Sequence, residues 1–490
     1  MSVATEDIEG LVPVREGDYG ERVARVEPGG IEFIPLHERH GVPWRMFATW
    51  LSPNLEFATV FIGILGVAIF GLSFGQTALA IILGTALGSL THGILSSWGP
   101  KFGVPMMVQS RGAFGFLGNI LPAGLNAFTG AVGWFIVNSV SGAFAIQALS
   151  DGRVSFALAF AIVVVAQVAI ATFGHNLIHA FEAVALPLLG IVFLVACVYI
   201  FSHTSFGFAA NAKTESFVGG ATGAFTLMFT AAFGYAAGWN PYAADYTRYF
   251  PPTASRQAIG WWSALGVLVS CVVLELAGAG VATVAGTKWG PTDIPTAQLA
   301  LAMPDVVFKL TLLCIAIGAV AANVINIYSG VMSFLALGVR EMGMTLRQRR
   351  AALAVVAGII GLVIGIIGQA NLGPGQKYEQ FLLLISYWIA AWEGVIFTDY
   401  LLTRGKYDER HFFDTRWNRW QGFTAMFIAL AVAIPLFAND YPLYVGKVPT
   451  ASPGLGDITF IVAFVISAGL YLVFSLGRRA PVAEDQTAAA

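Results

Sequence analysis

Trp134 and Asn138 stand four residues apart, so in a helix an indole and a carboxamide lie one turn apart on a single face. Such a pair can stack on a flat ring and hydrogen-bond its edge, and it serves equally well as packing between two apolar helices. Asn323, Asn326 and Ser329 repeat the theme at a spacing of three, and a polar stripe in a long apolar run favours a cavity over lipid. Two further stretches break the rules of the helices that contain them. Gly238-Trp239-Asn240-Pro241 interrupts one apolar run, and Ser52-Pro53-Asn54 interrupts another, with Glu56 three residues past the proline. Each proline removes a backbone donor and frees carbonyls of the preceding turn. The chemistry on offer is reversible recognition of a small ring. The sequence shows no nucleophile with its base and no metal-ligand cluster.

The elements that must hold these residues are membrane helices. Of 490 residues 57% are hydrophobic and 11% charged, with mean hydropathy +0.73, which excludes an ordinary soluble domain. Apolar segments near 48–72, 76–98, 117–149, 155–173, 178–201, 222–248, 258–286, 306–338, 351–371, 378–402, 421–438 and 457–476 predict about twelve spanning helices. With both termini on one side, the Lys and Arg residues divide strongly in favour of that side. The other side holds only Arg153, Lys213, Lys288, Lys309, Lys377 and Lys447. That asymmetry predicts cytoplasmic termini. No leader peptide is evident in the polar residues that precede the first segment.

Both broken segments begin a set of five. Residues 48–201 form a first unit of five helices and 222–402 a second, joined by a polar connection at 202–221. An odd number in each forces opposite orientations, the pattern of an inverted repeat. Residues 403–476 then carry a loop and two additional helices, while 1–47 and 477–490 are tails. Met1–Gly30 and Ala480–Ala490 lack periodicity and read as poorly ordered. Irregular backbone at membrane depth survives where it is buried in protein or lines a wet cavity, so the two breaks predict the binding site.

Intramembrane acids are functional candidates by default, and here they are Glu56, Glu182, Asp245, Glu275, Glu393 and Asp399. Glu56 stands out beside the first break. Asp245 and Asp399 lie near helix ends, where ion pairs with Arg248 and Arg404 are the favoured reading. Cys197, Cys271 and Cys314 lie far apart in apolar runs and read as core residues. Gly71-Leu-Ser-Phe-Gly75 matches the hydrolase elbow without its strand-to-helix context, and His37-Glu-Arg-His40 lacks the zinc spacing.

Taken together the chain resembles the nucleobase:cation symporter 1 family, in its purine-cytosine permease branch. The resemblance rests on Gly238-Trp-Asn-Pro-Tyr-Ala-Ala-Asp-Tyr-Thr-Arg-Tyr249, Ser110-Arg-Gly-Ala-Phe-Gly115, Phe397-Thr-Asp-Tyr400 leading into Arg404-Gly-Lys-Tyr-Asp408, and Glu38-Arg-His-Gly41. It implies an all-α polytopic membrane protein with the LeuT-like 5+5 inverted repeat plus two C-terminal helices. The implied substrate site is assembled from Ser52, Asn54, Trp134, Asn138, Gly238, Trp239 and Asn326. In that scheme Trp134 stacks on the substrate, a residue of the sixth helix completes the sandwich as either Trp239 or Tyr235, and Asn326 reads the ring edge.

The implied activity is import of a nucleobase, cytosine or a purine, across the cytoplasmic membrane by cation symport and alternating access. It implies no catalytic residues, no cofactor, no metal, no nucleic acid and no protein partner beyond the lipid bilayer. Sodium-driven relatives bind their ion between carbonyls of the first helix and hydroxyls of the eighth. If Asn326 is the substrate residue, the matching positions here are Val320 and Ala321, which offer no side-chain oxygen. A proton is therefore the favoured coupling ion and Glu56 its candidate carrier. A sodium-coupled symporter of allantoin, hydantoin or uracil is the alternative, and a non-transport receptor or a channel stands further off.

Overall fold

The computed structural model describes residues 12–15, 27–210, 220–286, 295–338, 346–369, 376–439 and 444–476. Much of the connection expected at 202–221, and the C-terminal tail at 477–490, lie outside them. Helices occupy all twelve apolar segments. Helix α1 runs in two halves, Arg45–Leu51 and Phe57–Ile64, joined by the tight turn Ser52–Asn54. It is followed by α2 (Phe74–Ser96), α3 (Ile120–Phe128 continuing into Phe135–Leu149), α4 (Phe156–Phe173) and α5 (His175–His203). Helix α6 also runs in two parts, Gly220–Ala237 and Ala243–Thr247. Then come α7 (Arg256–Ala285), α8 (Asp305–Leu335), α9 (Leu346–Gln369), α10 (Gln376–Thr403), α11 (Trp420–Ala433) and α12 (Thr459–Ser475).

Among the described residues, seven helices are long and apolar enough to cross a membrane, and eight with the broken α1 taken as one span. Length and composition thus account for eight of the dozen expected crossings. Ala351–Ile367, Trp420–Leu436 and Thr459–Ser475 are shorter apolar helices. One two-residue ladder, β1 (Ala438–Asn439) against β2 (Tyr444–Val445), precedes α12.

The packing places the broken helices at the centre. The second half of α1 lies on α7, α2 packs against both α6 and α7, and α8 packs against α3 and α5, while α10 packs on α12 at the side. Close crossing of α1 and α7 depends on missing side chains. A Cβ at Gly63 would strike the carbonyl of Glu275, and one at Gly278 would strike the carbonyl of Val60. Small residues let backbones approach where lipid supplies no hydrophobic drive for association.

Candidate functional site

The break in α1 follows from Pro53. The axis turns by 65° there, and the second half restarts with Glu56 as its cap, accepting from Ala58 N at 2.7 Å. In α6 the chain leaves the helix after Ala237 and passes through a tight turn at Asn240–Tyr242 around Pro241. The two breaks are bonded to each other. Trp239 Nε1 donates to Asn54 Oδ1 at 2.9 Å, while Asn54 Nδ2 donates back to the carbonyl of Trp50 at 2.7 Å. Both amide functions of Asn54 are thereby used. Thr59 Oγ1 donates to the Asn54 carbonyl at 2.6 Å and lies against the Tyr235 hydroxyl, which donates to Glu56 Oε1 at 3.3 Å.

Helix α3 contributes Trp134 at the end of a wide turn, Thr129–Trp134, that loosens its helical ladder. Such bulges recur at functional sites because they re-aim one side chain. The Trp134 ring is nearly buried and meets Tyr235 edge-on at 5.4 Å between centroids and Phe381 at 5.2 Å. Gly238 sits opposite, where a Cβ would come within 3.1 Å of the Trp134 ring. The indole of Trp239 instead packs with Trp50 at 5.9 Å and Tyr242 at 6.0 Å. Of the two α6 aromatics left open by the sequence, Tyr235 touches Trp134, and Trp239 is bonded to Asn54 in the α1 break.

One turn further along α3, Asn138 Nδ2 donates to Asn323 Oδ1 at 3.1 Å, and Asn326 Nδ2 reaches the same oxygen at 3.3 Å. Asn323 Nδ2 is occupied by the Phe135 carbonyl, Ser139 Oγ and Gln167 Oε1 at 2.9, 3.2 and 3.0 Å. Asn323 is thus a fixed hub joining α3, α4 and α8. The Oδ1 atoms of Asn138 and Asn326 and the hydroxyl of Ser329 are buried with no hydrogen-bond partner. Two buried acceptors, one of them a helical turn from an indole, suit a flat ligand that carries N–H donors.

Ser52, the remaining predicted site residue, is fully buried in the α1 turn with its hydroxyl unpartnered, beside the Glu182 carboxylate of α5. The other intramembrane acids are mostly tied down. Glu275 accepts from Thr85 Oγ1 at 2.8 Å, and Glu393 takes the side chain of Asn240, which also bonds Thr91. Asp245 accepts from Met106 N at 2.9 Å and so anchors the short helix Met106–Gln109. Asp399 pairs with Arg419 at 3.1 Å and Tyr471 at 2.6 Å, not with Arg404.

The cluster that sequence reasoning missed involves the N-terminal segment. Glu27 is completely buried and receives Tyr249 and, at 3.2 Å, Tyr328, with Arg248 3.5 Å away and Arg15 nearby. Arg248 also donates to the Gly30 carbonyl at 2.9 Å. Residues 27–30 are therefore packed, contrary to the expectation of a loose tail. Nothing local marks Glu27, because Arg248, Tyr249 and Tyr328 lie more than 200 residues away.

The helix order and these two bonded breaks define a LeuT-like fold. The structure aligns with that of Mhp1, a nucleobase-cation-symport-1 family transporter, in a closed conformation with bromovinylhydantoin bound, at TM-score 0.70 and 17% identity over 91% of this chain and 94% of that one. A Na+-coupled sialic acid symporter aligns at TM-score 0.61 with 10% identity, over 90% of this chain and 91% of that one. The family model described as permease for cytosine/purines, uracil, thiamine, allantoin matches residues 33–463, and the chain belongs to that family of permeases. Similar relatives include the putative purine-cytosine permease YxlA of Bacillus subtilis, 28% identical over 93% of this chain and 97% of that protein. The purine-cytosine permease fcyB of Emericella nidulans is 27% identical over 96% and 94%.

Proposed function

We propose that this permease imports a nucleobase, cytosine or a purine, across the cytoplasmic membrane by cation symport, with both termini cytoplasmic. The observation that carries the reading is the pair of unpartnered amide oxygens on Asn138, one turn along α3 from Trp134, and on Asn326, which shares the Asn323 oxygen with it. An aromatic face tolerates any flat heterocycle, whereas buried acceptors select for N–H edges and reject analogues that leave them unpaired. Nucleobases present ring and exocyclic N–H groups in that plane. Similarity to purine-cytosine permeases over nearly the whole chain supports the same class.

Alternating access would move the first halves of the broken helices against α3 and α8, with the Asn54–Trp239 bond coupling the two breaks. The coupling ion we favour is the proton, because Val320 and Ala321 supply no oxygen to a sodium site on α8. Glu56, the carrier favoured by its position in the sequence, has donors on both oxygens, from Ala58 N and Tyr235. The test is a panel of heterocycles, comprising cytosine, adenine, hypoxanthine, uracil, allantoin and a hydantoin, scored by thermal stabilisation of the purified protein. Stabilisation by cytosine or a purine above the others supports the reading, and stabilisation by allantoin or hydantoin alone replaces the substrate.

A further inference from the structure

Among the described residues, Glu182 is the acid whose two carboxylate oxygens are both buried without a hydrogen-bond donor. It lies two turns into α5, 4% exposed. The hydroxyl beside it is that of Ser52, also fully buried and unpartnered, at the start of the α1 break. Helix α5 packs against the first half of α1, against the break itself and against α7 and α8, so the pair sits where the broken helix meets two others. Two orphaned polar side chains from different helices, turned to one another at a hinge, form a site for a small cationic occupant.

We propose that Glu182, with Ser52 as its hydrogen-bonding neighbour, is the proton-binding residue that couples ion movement to transport. This rests on the symport reading above and replaces Glu56 as carrier. An ionised carboxylate without donors or counter-ion is strongly disfavoured at membrane depth, whereas the protonated acid fits as built, donating or accepting with Ser52. The proton comes from bulk water on one side and returns to bulk water on the other when the α1 break opens the site. Ser52 and Asn54 belong to the same three-residue turn, and Asn54 is bonded to Trp239 of the α6 break, whose Gly238 faces the Trp134 ring, so a proton at Glu182 and a substrate on Trp134 bias linked elements. Two ligands acting on one two-state element are coupled by linkage.

Other titratable groups lie on the elements packed around Glu182. On its own helix His179 precedes it by one turn, and His179 meets Tyr246 of α6 edge-on at 5.6 Å. Tyr246, with an unpartnered hydroxyl, is the α6 group within its electrostatic reach. Helix α1 contributes Arg45 at its first turn. Helix α7 carries Arg256, Cys271 and Glu275, the last bonded to Thr85. Helix α8 carries Asp305, Lys309, Cys314 and Tyr328, of which Asp305 and Lys309 pair with each other in its first turn. Helix α4 has no titratable side chain.

The experiment uses the full chain in proteoliposomes with radiolabelled cytosine and hypoxanthine, tested separately. Wild type should concentrate one of them under an inward proton gradient without sodium and should also show counterflow. Glu182→Gln should still exchange substrate while its gradient-driven accumulation ratio falls to about one, the value for equilibration without a coupled ion. Accumulation by Glu182→Gln equal to wild type overturns the proposal, as does its loss in Glu56→Gln alone. Accumulation by the wild type driven only by sodium withdraws proton coupling, and with it Glu182, while leaving transport intact. No counterflow in the wild type withdraws the transport reading itself. Should Glu182→Gln fail to fold, wild type labelled with dicyclohexylcarbodiimide decides by peptide mass spectrometry. Modification of Glu182 that rises as pH falls supports the site, and modification of Glu56 with Glu182 untouched overturns it.

Discussion

Trp239 Nε1 donates to Asn54 Oδ1 at 2.9 Å, so a single hydrogen bond joins the interrupted turns of α1 and α6. Trp239→Phe keeps the ring and removes the donor, leaving a buried amide oxygen unpaired. The expected loss is about 1–3 kcal/mol of stability. In a double-mutant cycle with Asn54→Ala, measured by thermal unfolding in detergent, the two changes should be clearly non-additive. Additive effects would mean that the breaks move independently.

Tyr235 and Phe381 both meet the Trp134 ring edge-on, and the proposed function makes that ring the stacking platform. Trp134→Ala should weaken substrate affinity by about 1 kcal/mol or more, roughly fivefold or greater, by calorimetry. Trp239→Ala should cost folding stability in larger proportion than affinity. An unchanged affinity in Trp134→Ala would place the ring elsewhere.

Asn326→Ala removes one of two free acceptors and one of the two amide donors to Asn323 Oδ1, while Asn138 still donates to that oxygen and Asn323 Nδ2 keeps its bonds to the Phe135 carbonyl and Gln167 Oε1. It should reorder the heterocycles that stabilise the protein, because a site that loses an acceptor no longer distinguishes ligands by that edge. Asn323→Ala should instead lower stability, since it leaves Gln167 Oε1 and the Phe135 carbonyl without this donor. The same ranking in both variants would deny Asn326 a role in selection.

Glu27→Ala takes a fully buried carboxylate away from Arg248, Tyr249 and Tyr328. Breaking a buried charge pair by removing one partner costs about 3–5 kcal/mol. A lowered unfolding temperature in detergent is the expected result. A shift of under a degree would mean that the segment around Glu27 adds nothing to the fold.

Much of the architecture is legible in the sequence because lipid imposes a simple rule. A segment that crosses must be apolar over its length, and a proline within it must be accommodated, so the positions of the helices follow from hydropathy and both breaks from Pro53 and Pro241, while eight of the expected crossings meet the length and composition of a span among the described residues. The pairing of Trp134 with Asn138 follows from helical spacing in the same way. What the spacing does not carry is the partner across the bundle. Asp399 finds Arg419 rather than the nearby Arg404, and Arg248 finds Glu27 rather than Asp245, because folding brings distant segments together at helix ends. Asn323, Asn326 and Ser329 share one stripe, yet Asn323 is saturated by α3 and α4 while Asn326 keeps a free oxygen. Glu56 and Glu182 differ likewise only in what surrounds them. A local cap satisfies the first, and the second meets a lone hydroxyl from another helix.

Concentrative uptake decides whether this permease couples nucleobase import to a proton. Proteoliposomes holding the purified protein are given an inward proton gradient in sodium-free buffer and supplied with radiolabelled cytosine or hypoxanthine. The expected result is accumulation above the external concentration that collapses when a protonophore dissipates the gradient. Equilibration without accumulation under proton and sodium gradients alike, for every nucleobase supplied, would contradict it.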